Sequence, residues 1–256
     1  MLDSAAPLAQ SAPVARSLAV IILNYKRPQN IGAIAAAARE ALPDAPIFIL
    51  DQGEREDFRE RSDVPWREVW VQRARVNQGA GARVPLACSL PFDFYLAIDD
   101  DIFLTPQQIR RLAEIVQDQP DRAHGVWGER LELDRDILQT RTSITEIDAA
   151  LSNLNEVYAF SRGQAAAAIR LSAQLGFPSW EAVQVGNDIL LSCASPKPPL
   201  CHNLGPIRHC PTCNEPGVAV WLSEGFRERR GELVRRLFAH RAIAVFAPTA
   251  LTAASG

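Results

Sequence analysis

Asp99, Asp100 and Asp101 stand together between two apolar runs, Tyr95-Leu96-Ala97-Ile98 and Ile102-Phe103-Leu104. Three carboxylates at the end of a buried strand repel one another, and desolvation adds to the cost of ionising them. A cation offsets both effects. Mg2+ or Mn2+ suits the oxygen donors, because such an ion is commonly held by one or two carboxylates while a substrate phosphate completes its shell. Taken alone, the triplet is better explained as a solvated acidic loop closing a strand. Other residues bear on the choice: Asp51 ends an apolar run, Arg83 follows the glycines of Asn77-Gln78-Gly79-Ala80-Gly81-Ala82, and Asp188 heads the apolar segment Ile189-Leu190-Leu191.

The elements that must hold these residues follow from patterning. Residues 18–25 form a continuous apolar run, as in a strand buried on both faces of a parallel sheet. Lys26-Arg27-Pro28-Gln29-Asn30 breaks the run, and residues 31–42 have the alanine-rich composition of a helix packed on a sheet. Pro43 and Pro46 end that helix, and residues 47–50 form a second strand terminating at Asp51. The outline is a right-handed β-α-β unit with polar residues at the carboxyl ends of its strands. Residues 53–63 read as an exposed connection or short helix, and 68–71 as a third strand leading into the glycine-rich segment, whose Arg83 can approach a phosphate. After the Asp triplet, Thr105 as N-cap, Pro106 at the first helical position and Gln108 completing a capping box predict a helix start. Ile109, Leu112, Ala113 and Val116 give that helix one apolar stripe.

Further on, residues 124–128 and 157–160 read as strands and 163–175 as a helix, while 129–146 fit no simple pattern. Asp188 suits an N-cap or first-turn position on a helix. Trp180 suits either a sugar-facing ring or a core position. Between Pro196 and Pro216 the chain is irregular; Cys201, His202, His209, Cys210 and Cys213 there offer a zinc-site alternative, although one Cys-x-x-Cys without a matched second pair is weak support. Residues 224–241 form an amphipathic helix, with Arg227, Arg229, Arg230, Arg235, Arg236 and Arg241 interspersed with Glu224, Glu228 and Glu232. This pattern predicts a solvated, charge-paired face, with contact to an anionic membrane surface as the alternative.

The totals set the outer bounds. A chain of 256 residues with 47% apolar and 22% charged residues has material for a real core. A net charge of −3 gives no overall attraction to nucleic acid. Five cysteines do not make a secreted disulfide framework at this length, so a reducing, cytoplasmic setting is expected. No window reaches the roughly 18 to 20 apolar residues of a membrane helix. Residues 1–17, rich in Ala, Pro and Ser, are expected to form a loose N-terminal arm, 18–246 one domain, and 247–256 a flexible tail.

In order along the chain, these segments resemble the nucleotide-sugar glycosyltransferases of the GT-A fold. The resemblance is carried by Val20-Ile21-Ile22-Leu23-Asn24-Tyr25-Lys26-Arg27-Pro28, Ile49-Leu50-Asp51, Asn77-x-Gly79-x-x-x-Arg83, Asp99-Asp100-Asp101 and Gly186-Asn187-Asp188. The last stands where such enzymes commonly have Glu-Asp. The triplet and the proline-containing first turn also look like the exostosin-type branch. The nucleotidylyltransferases of similar layout are disfavoured, because their Gly-rich signature directly after the first strand is not present.

The resemblance implies an α/β fold: a single GT-A, Rossmann-like domain with a mostly parallel central sheet flanked by helices, nucleotide-binding over about 18–104 and acceptor-binding over about 105–246. It further implies that Asn24, Tyr25, Arg27, Asp51, Asn77, Arg83, Asp99 and Asp100 bind the donor. Asp51 would take a hydrogen bond from the base, and Asp100 would also shape the turn. Asp101, with Asp99 and His209, would hold Mn2+ or Mg2+, and Asp188 would act on the acceptor hydroxyl. The implied reaction is hexosyl or N-acetylhexosaminyl transfer from a nucleotide-diphosphate sugar, most naturally a UDP-sugar, to a carbohydrate or other hydroxyl acceptor. A noncatalytic nucleotide-sugar-binding protein and a small zinc-stabilised interaction protein are the rival readings.

Overall fold

The computed structural model describes residues 17–53, 64, 69–74, 77–134 and 137–240. The expected N-terminal arm up to residue 16, the connection over 54–63 and the tail over 247–256 lie outside the described residues.

The apolar run becomes β1 (Leu18–Asn24), buried along nearly its whole length. Helix α1 (Pro28–Ala41) starts three residues earlier than the alanine pattern indicates, because Pro28 occupies its first turn, where a missing N–H is not needed. Strand β2 (Ile47–Asp51) pairs in parallel with β1, and β3 (Val69–Arg73) pairs in parallel with β2, in the order β3-β2-β1. A short 3-10 turn at Ala80–Ala82 leads into α2 (Arg83–Ser89). Every residue of β4 (Phe94–Ile98) is buried, and it pairs in parallel with the other side of β1.

After the acidic turn come a short strand, β5 (Ile102–Phe103), and α3 (Pro106–Asp118), whose Thr105–Gln108 capping box forms in full. The central sheet continues through β6 (His124–Gly125). In the stretch unassigned by pattern, β7 (Trp127–Asp134) pairs antiparallel with β8 (Ile137–Thr145), and the two form a separate three-stranded sheet with β10 (Asn153–Leu154). Strand β9 (Ala149–Ala150) lies at the far edge of the central sheet. Strand β11 (Val157–Ser161) runs antiparallel to β4 and hands over to α4 (Arg162–Gln174) through a second capping box, Ser161–Gln164. Helix α5 (Asn187–Cys193), strands β12 (Leu200–Cys201) and β13 (Arg208–His209), and helix α6 (Phe226–Ala239) complete the described elements.

The eight-stranded sheet has the order β3-β2-β1-β4-β11-β6-β12-β9 and is parallel through β3, β2, β1 and β4. Apolar clusters cover both of its faces: Ile31, Ile34, Ile109 and Leu112 belong to one, and Tyr158, Leu171, Leu190 and Leu233 to the other. Among the described residues, no helix is long and apolar enough to cross a membrane. In α6, Glu232 pairs with Arg235 and Arg236 as the charge pattern indicates, but Arg230 is 4% exposed and faces inward, so the helix is not charged and solvated all along its arginines.

Candidate functional site

Pairing of β1 with β4 on one side and β2 on the other sets Tyr25, Gln52 and the Asp turn at neighbouring strand ends. These ends open on a cavity of about 680 Å³, within the roughly 300–1,000 Å³ usual for small-molecule sites. Tyr25, Arg27, Asn77, Asp99, Asp100, Asp101, Asp188 and His209 line it; Asn24, Asp51 and Arg83 stand behind its wall.

The three carboxylates of the turn have separate surroundings. Asp99 receives the Arg83 guanidinium at 2.5 Å. Asp100 is buried and fully engaged: one oxygen accepts the Tyr25 backbone N–H (2.8 Å) and the other an Arg27 N–H (2.7 Å), while its own carbonyl accepts from Asn30 (2.7 Å). This closes the turn against the start of α1. Asp101 meets Arg27 at 3.3 Å through Oδ2, whereas its Oδ1 is buried with no hydrogen-bond partner. Arg27 also donates to the Thr212 hydroxyl (2.8 Å) and carbonyl (3.0 Å), tying the late loop to the turn.

Strand β13 pairs with β5 and sets His209 opposite Ile102; the Cys210 N–H donates to the Asp101 carbonyl (2.7 Å). His209 Nε2 lies 2.8 Å from Glu156, a residue at φ 59° whose carbonyl accepts the Asp99 N–H. Glu156 therefore brings a fourth carboxyl group to the turn. Burial, reinforced by Glu156 and Asp100 and opposed by Arg83, pushes Asp99 up to about 7. Burial, Glu156 and Asp99 push Asp101 up to about 8. The hydrogen bond to Glu156 raises His209 above the ordinary imidazole value.

An Mg2+ or Mn2+ ion fits here on chemical grounds. The unpartnered buried oxygen of Asp101 and the surplus of carboxylates over guanidiniums both favour a hard cation. Asp101 and Asp99 would offer it oxygen ligands, whereas His209, the third ligand the resemblance implies, turns its Nε2 to Glu156.

Behind the wall, Asp51 accepts from Asn24 (2.7 Å) and from the Gly53 N–H (3.1 Å), and Arg73 lies 3.7 Å from its second oxygen. Its neighbour Gln52 reaches the cavity instead and clamps the glycine-rich segment, donating to the Gly79 carbonyl (3.0 Å) and accepting from the Gln78 N–H (2.7 Å). Gly81 must lack a side chain, because a Cβ would lie 2.4 Å from Asn187. Trp180 is 7% exposed and donates to the Gly81 carbonyl (2.8 Å), so of its two possible roles the structure selects the core one.

Asp188 sits in the first turn of α5, and the preceding Gly186, at φ 95°, takes the N-cap position. Arg230 Nη1 lies 2.7 and 2.8 Å from the two carboxylate oxygens of Asp188, and Asn153 donates to one of them (3.2 Å). The other terminal nitrogen of Arg230 lies 3.5 Å from Glu129. Tyr158 and Phe226 line the cavity near this pair, and Trp127, packed on His209, and Trp221, donating to the Cys213 carbonyl, line it beside the late loop.

Glu156, Glu129 and Arg230 escaped the sequence reading. Glu156 follows a two-residue strand, Glu129 lies in the unassigned segment, and Arg230 is one arginine of a charge-rich helix. Only the spacing of Arg230 from Phe226 and from Leu233, Val234 and Leu237 places it near the apolar stripe.

The zinc alternative finds no assembled site. His202 lies in contact with His124, nitrogen to nitrogen at 2.9 Å, whereas His209 and Cys210 lie beside the acidic turn. Burial pushes His124 down to about 4, and it lowers His202 as well. All five cysteines are free thiols, and among the described residues no three His, Cys, Asp or Glu side chains converge as a metal-binding group.

No family model matches the chain, and no curated protein matches it in sequence. Solved structures do match in fold. GalNAc-T7, solved with UDP, GalNAc and Mn2+, superposes with a TM-score of 0.55 at 12% identity, over 87% of this chain and 48% of that one. The CMP:2-keto-3-deoxy-manno-octonic acid synthetase complexed with CTP gives 0.50 at 13% identity, over 88% of this chain and 99% of that one. S. aureus TarS gives 0.45 at 10% identity, over 75% of this chain and 36% of that one. The chain thus spans about half the length of the GalNAc-T7 chain. A mixed α/β architecture, with a mostly parallel eight-stranded sheet flanked by helices, gives this chain a GT-A-like fold.

Proposed function

We propose that this chain is a metal-dependent glycosyltransferase that moves a hexosyl or N-acetylhexosaminyl group from a nucleotide-diphosphate sugar, in the first instance a UDP-sugar, to a hydroxyl acceptor. The observation that carries the reading is one cavity with an under-neutralised carboxylate turn in one wall and a guanidinium-held carboxylate, Asp188, in another. Residues 18–104 serve the donor and 105–246 the acceptor.

In this reading the base lies against Tyr25 and Gln52, with Asn24 and Asp51 bracing the wall behind them. Asn77 and the Gly79 segment approach the phosphates. Arg83 orients Asp99, and Asp100 with Arg27 holds the turn in shape. When bound at Asp101 and Asp99, the cation supplies positive charge that stabilises a departing nucleoside diphosphate more in the transition state than in the ground state. Asp188 orients the acceptor hydroxyl or takes its proton, and it stabilises positive character at the sugar carbon. Both the transferase and the CTP-bound synthetase share this fold, so fold alone does not choose between sugar transfer and nucleotidyl transfer. The Arg230-held Asp188, a second carboxylate centre lining the same cavity, favours a separate acceptor subsite.

Calorimetry with UDP, with and without Mn2+, tests the donor half: Mn2+ is expected to raise affinity, and Asp101→Ala to remove that gain by about 100-fold or more. An Mn2+ response unchanged in Asp101→Ala overturns the metal assignment. Activity assays with UDP-sugars and with CTP plus a free sugar acid then separate the two chemistries.

A further inference from the structure

We propose that Arg230 is the positioning residue for Asp188, fixing its carboxylate as an oriented anion in the acceptor half of the cavity; this rests on the glycosyltransferase reading. Arg230 comes from the last described helix, 42 residues beyond Asp188, yet a single terminal nitrogen lies 2.7 and 2.8 Å from both carboxylate oxygens. Its guanidinium is 4% exposed and is held in place from two further sides. Phe226, one helical turn earlier, lies under it at 5.3 Å, and Glu129 of β7 flanks it at 3.5 Å. A buried guanidinium fixed in this way cannot swing out to solvent and back, so the orientation of Asp188 is set by α6 and the β7 strand as well as by α5. Glu129 and Asp188 together place two carboxylates on one cation, which keeps the arginine where it is.

The other groups that face Asp188 do not compete for this role. Asn153 is neutral and donates to one oxygen. Burial, with Asp188 next in weight, raises the Tyr158 phenol well above its ordinary value. The same two causes raise the Cys193 thiol to about 12, so both groups stay neutral around pH 7. Arg83 lies beyond Tyr158, 4.5 Å from its ring, and its own ion pair is with Asp99. Among the described residues Arg230 is therefore the cation in direct contact with Asp188, and the carboxylate it holds lines the cavity.

The experiment compares wild type with Arg230→Met and Arg230→Lys in three measurements. UDP affinity by calorimetry is expected to stay within about twofold in both variants, since the donor wall is untouched. With an active UDP-sugar, kcat is expected to fall at least tenfold in Arg230→Met with donor KM unchanged. Arg230→Lys is expected to recover part of the rate but not all of it, because an ammonium supplies charge without the planar fork.

A double-mutant cycle of Arg230 and Asp188→Asn in denaturant unfolding reads the same coupling without substrate, made with Arg230→Lys if Arg230→Met fails to fold. Additive unfolding free energies together with an unchanged kcat in the variants overturn the proposal. A non-additive cycle in a protein that turns over no UDP-sugar overturns the glycosyltransferase reading while leaving the Asp188–Arg230 coupling standing.

Discussion

The turn after β4 and the first turn of α5 both present carboxylates to one cavity, but they are neutralised in opposite ways. At the turn, Asp99, Asp100, Asp101 and Glu156 face two guanidiniums and one imidazole, and one oxygen of Asp101 stays buried without a partner. At α5, both oxygens of Asp188 are engaged by one arginine, and Asn153 adds a neutral donor. A site left short of positive charge accepts a cation that arrives with a ligand. A site whose anion is fully held presents that anion to something neutral. In the proposed reading, the first centre is then a place for a charged donor and the second a place for an uncharged hydroxyl.

The sharpest way to break this division is Asp188→Ala. It is expected to leave UDP affinity within about twofold while lowering transfer by about 10²–10⁴-fold, the range ascribed to a positioned acid or base. Isothermal titration and a donor-consumption assay on one preparation check both halves. Retained turnover would mean that the acceptor is handled elsewhere, and lost UDP binding would mean that the two places are one.

Gly186→Ala perturbs the same centre through the backbone. The residue sits at φ 95°, a conformation that L side chains rarely adopt, and a Cβ there would lie 2.4 Å from Leu233 of α6. A loss of about 1–3 kcal/mol in denaturant unfolding is expected, from overpacking added to backbone strain. UDP affinity in the folded fraction should change less than transfer does, because Gly186 adjoins Asp188 at the start of α5.

The donor half was the more legible of the two, and the reason is separation along the chain. Strands β1, β2 and β4, the capped start of α3 and the acidic turn rest on hydrophobic period, proline placement and capping, all of which act within a few residues. Gln52 and Asp51 show the limit of that reading: adjacent residues at the end of β2 face opposite ways, and only the sheet decides which one meets the cavity. The centre at Asp188 depends on pairings such as Asn153 with Asp188 and Glu129 with Arg230, which span 35 and 101 positions, and the turn is completed by Glu156 with His209, which span 53. No local pattern encodes them. Arg230 was read as solvated because its helix is rich in charge; burial of one guanidinium among five arginines of that helix is decided by what packs opposite it.

The charge surplus at the turn also predicts a pH dependence. Asp99 and Asp101 are raised to about 7 and about 8 in the folded chain, far above the usual carboxylate range that applies when it is unfolded. Between about pH 4 and pH 8 the folded state therefore binds more protons than the unfolded one, so stability falls as pH rises through this window. Melting of the metal-free protein is expected at a higher temperature at pH 6 than at pH 8.5, with excess Mg2+ or Mn2+ removing most of the difference. A melting temperature that rises with pH would show the turn to be neutralised already.

The smallest expected effect comes from the two capping boxes, which let the division be probed through helix starts alone. Thr105→Ala and Ser161→Ala each remove a side chain that accepts from a backbone N–H three residues on, and each should lower stability by about 1 kcal/mol. Their consequences for the site should differ. Thr105 lies four residues after Asp101, and its partner Gln108 also donates to the Leu204 and Pro206 carbonyls (3.1 Å each), which precede His209. Loosening that start relaxes the link between the turn and the late loop, so Thr105→Ala should weaken Mn2+-dependent UDP binding by a fewfold. Ser161 opens α4, where Gln164 donates to Ser195 (2.9 Å), away from both carboxylate centres. Ser161→Ala should therefore match Thr105→Ala in denaturant midpoint and leave UDP binding alone; equal effects on binding would show that the turn senses general loss of stability rather than its own attachment to β13.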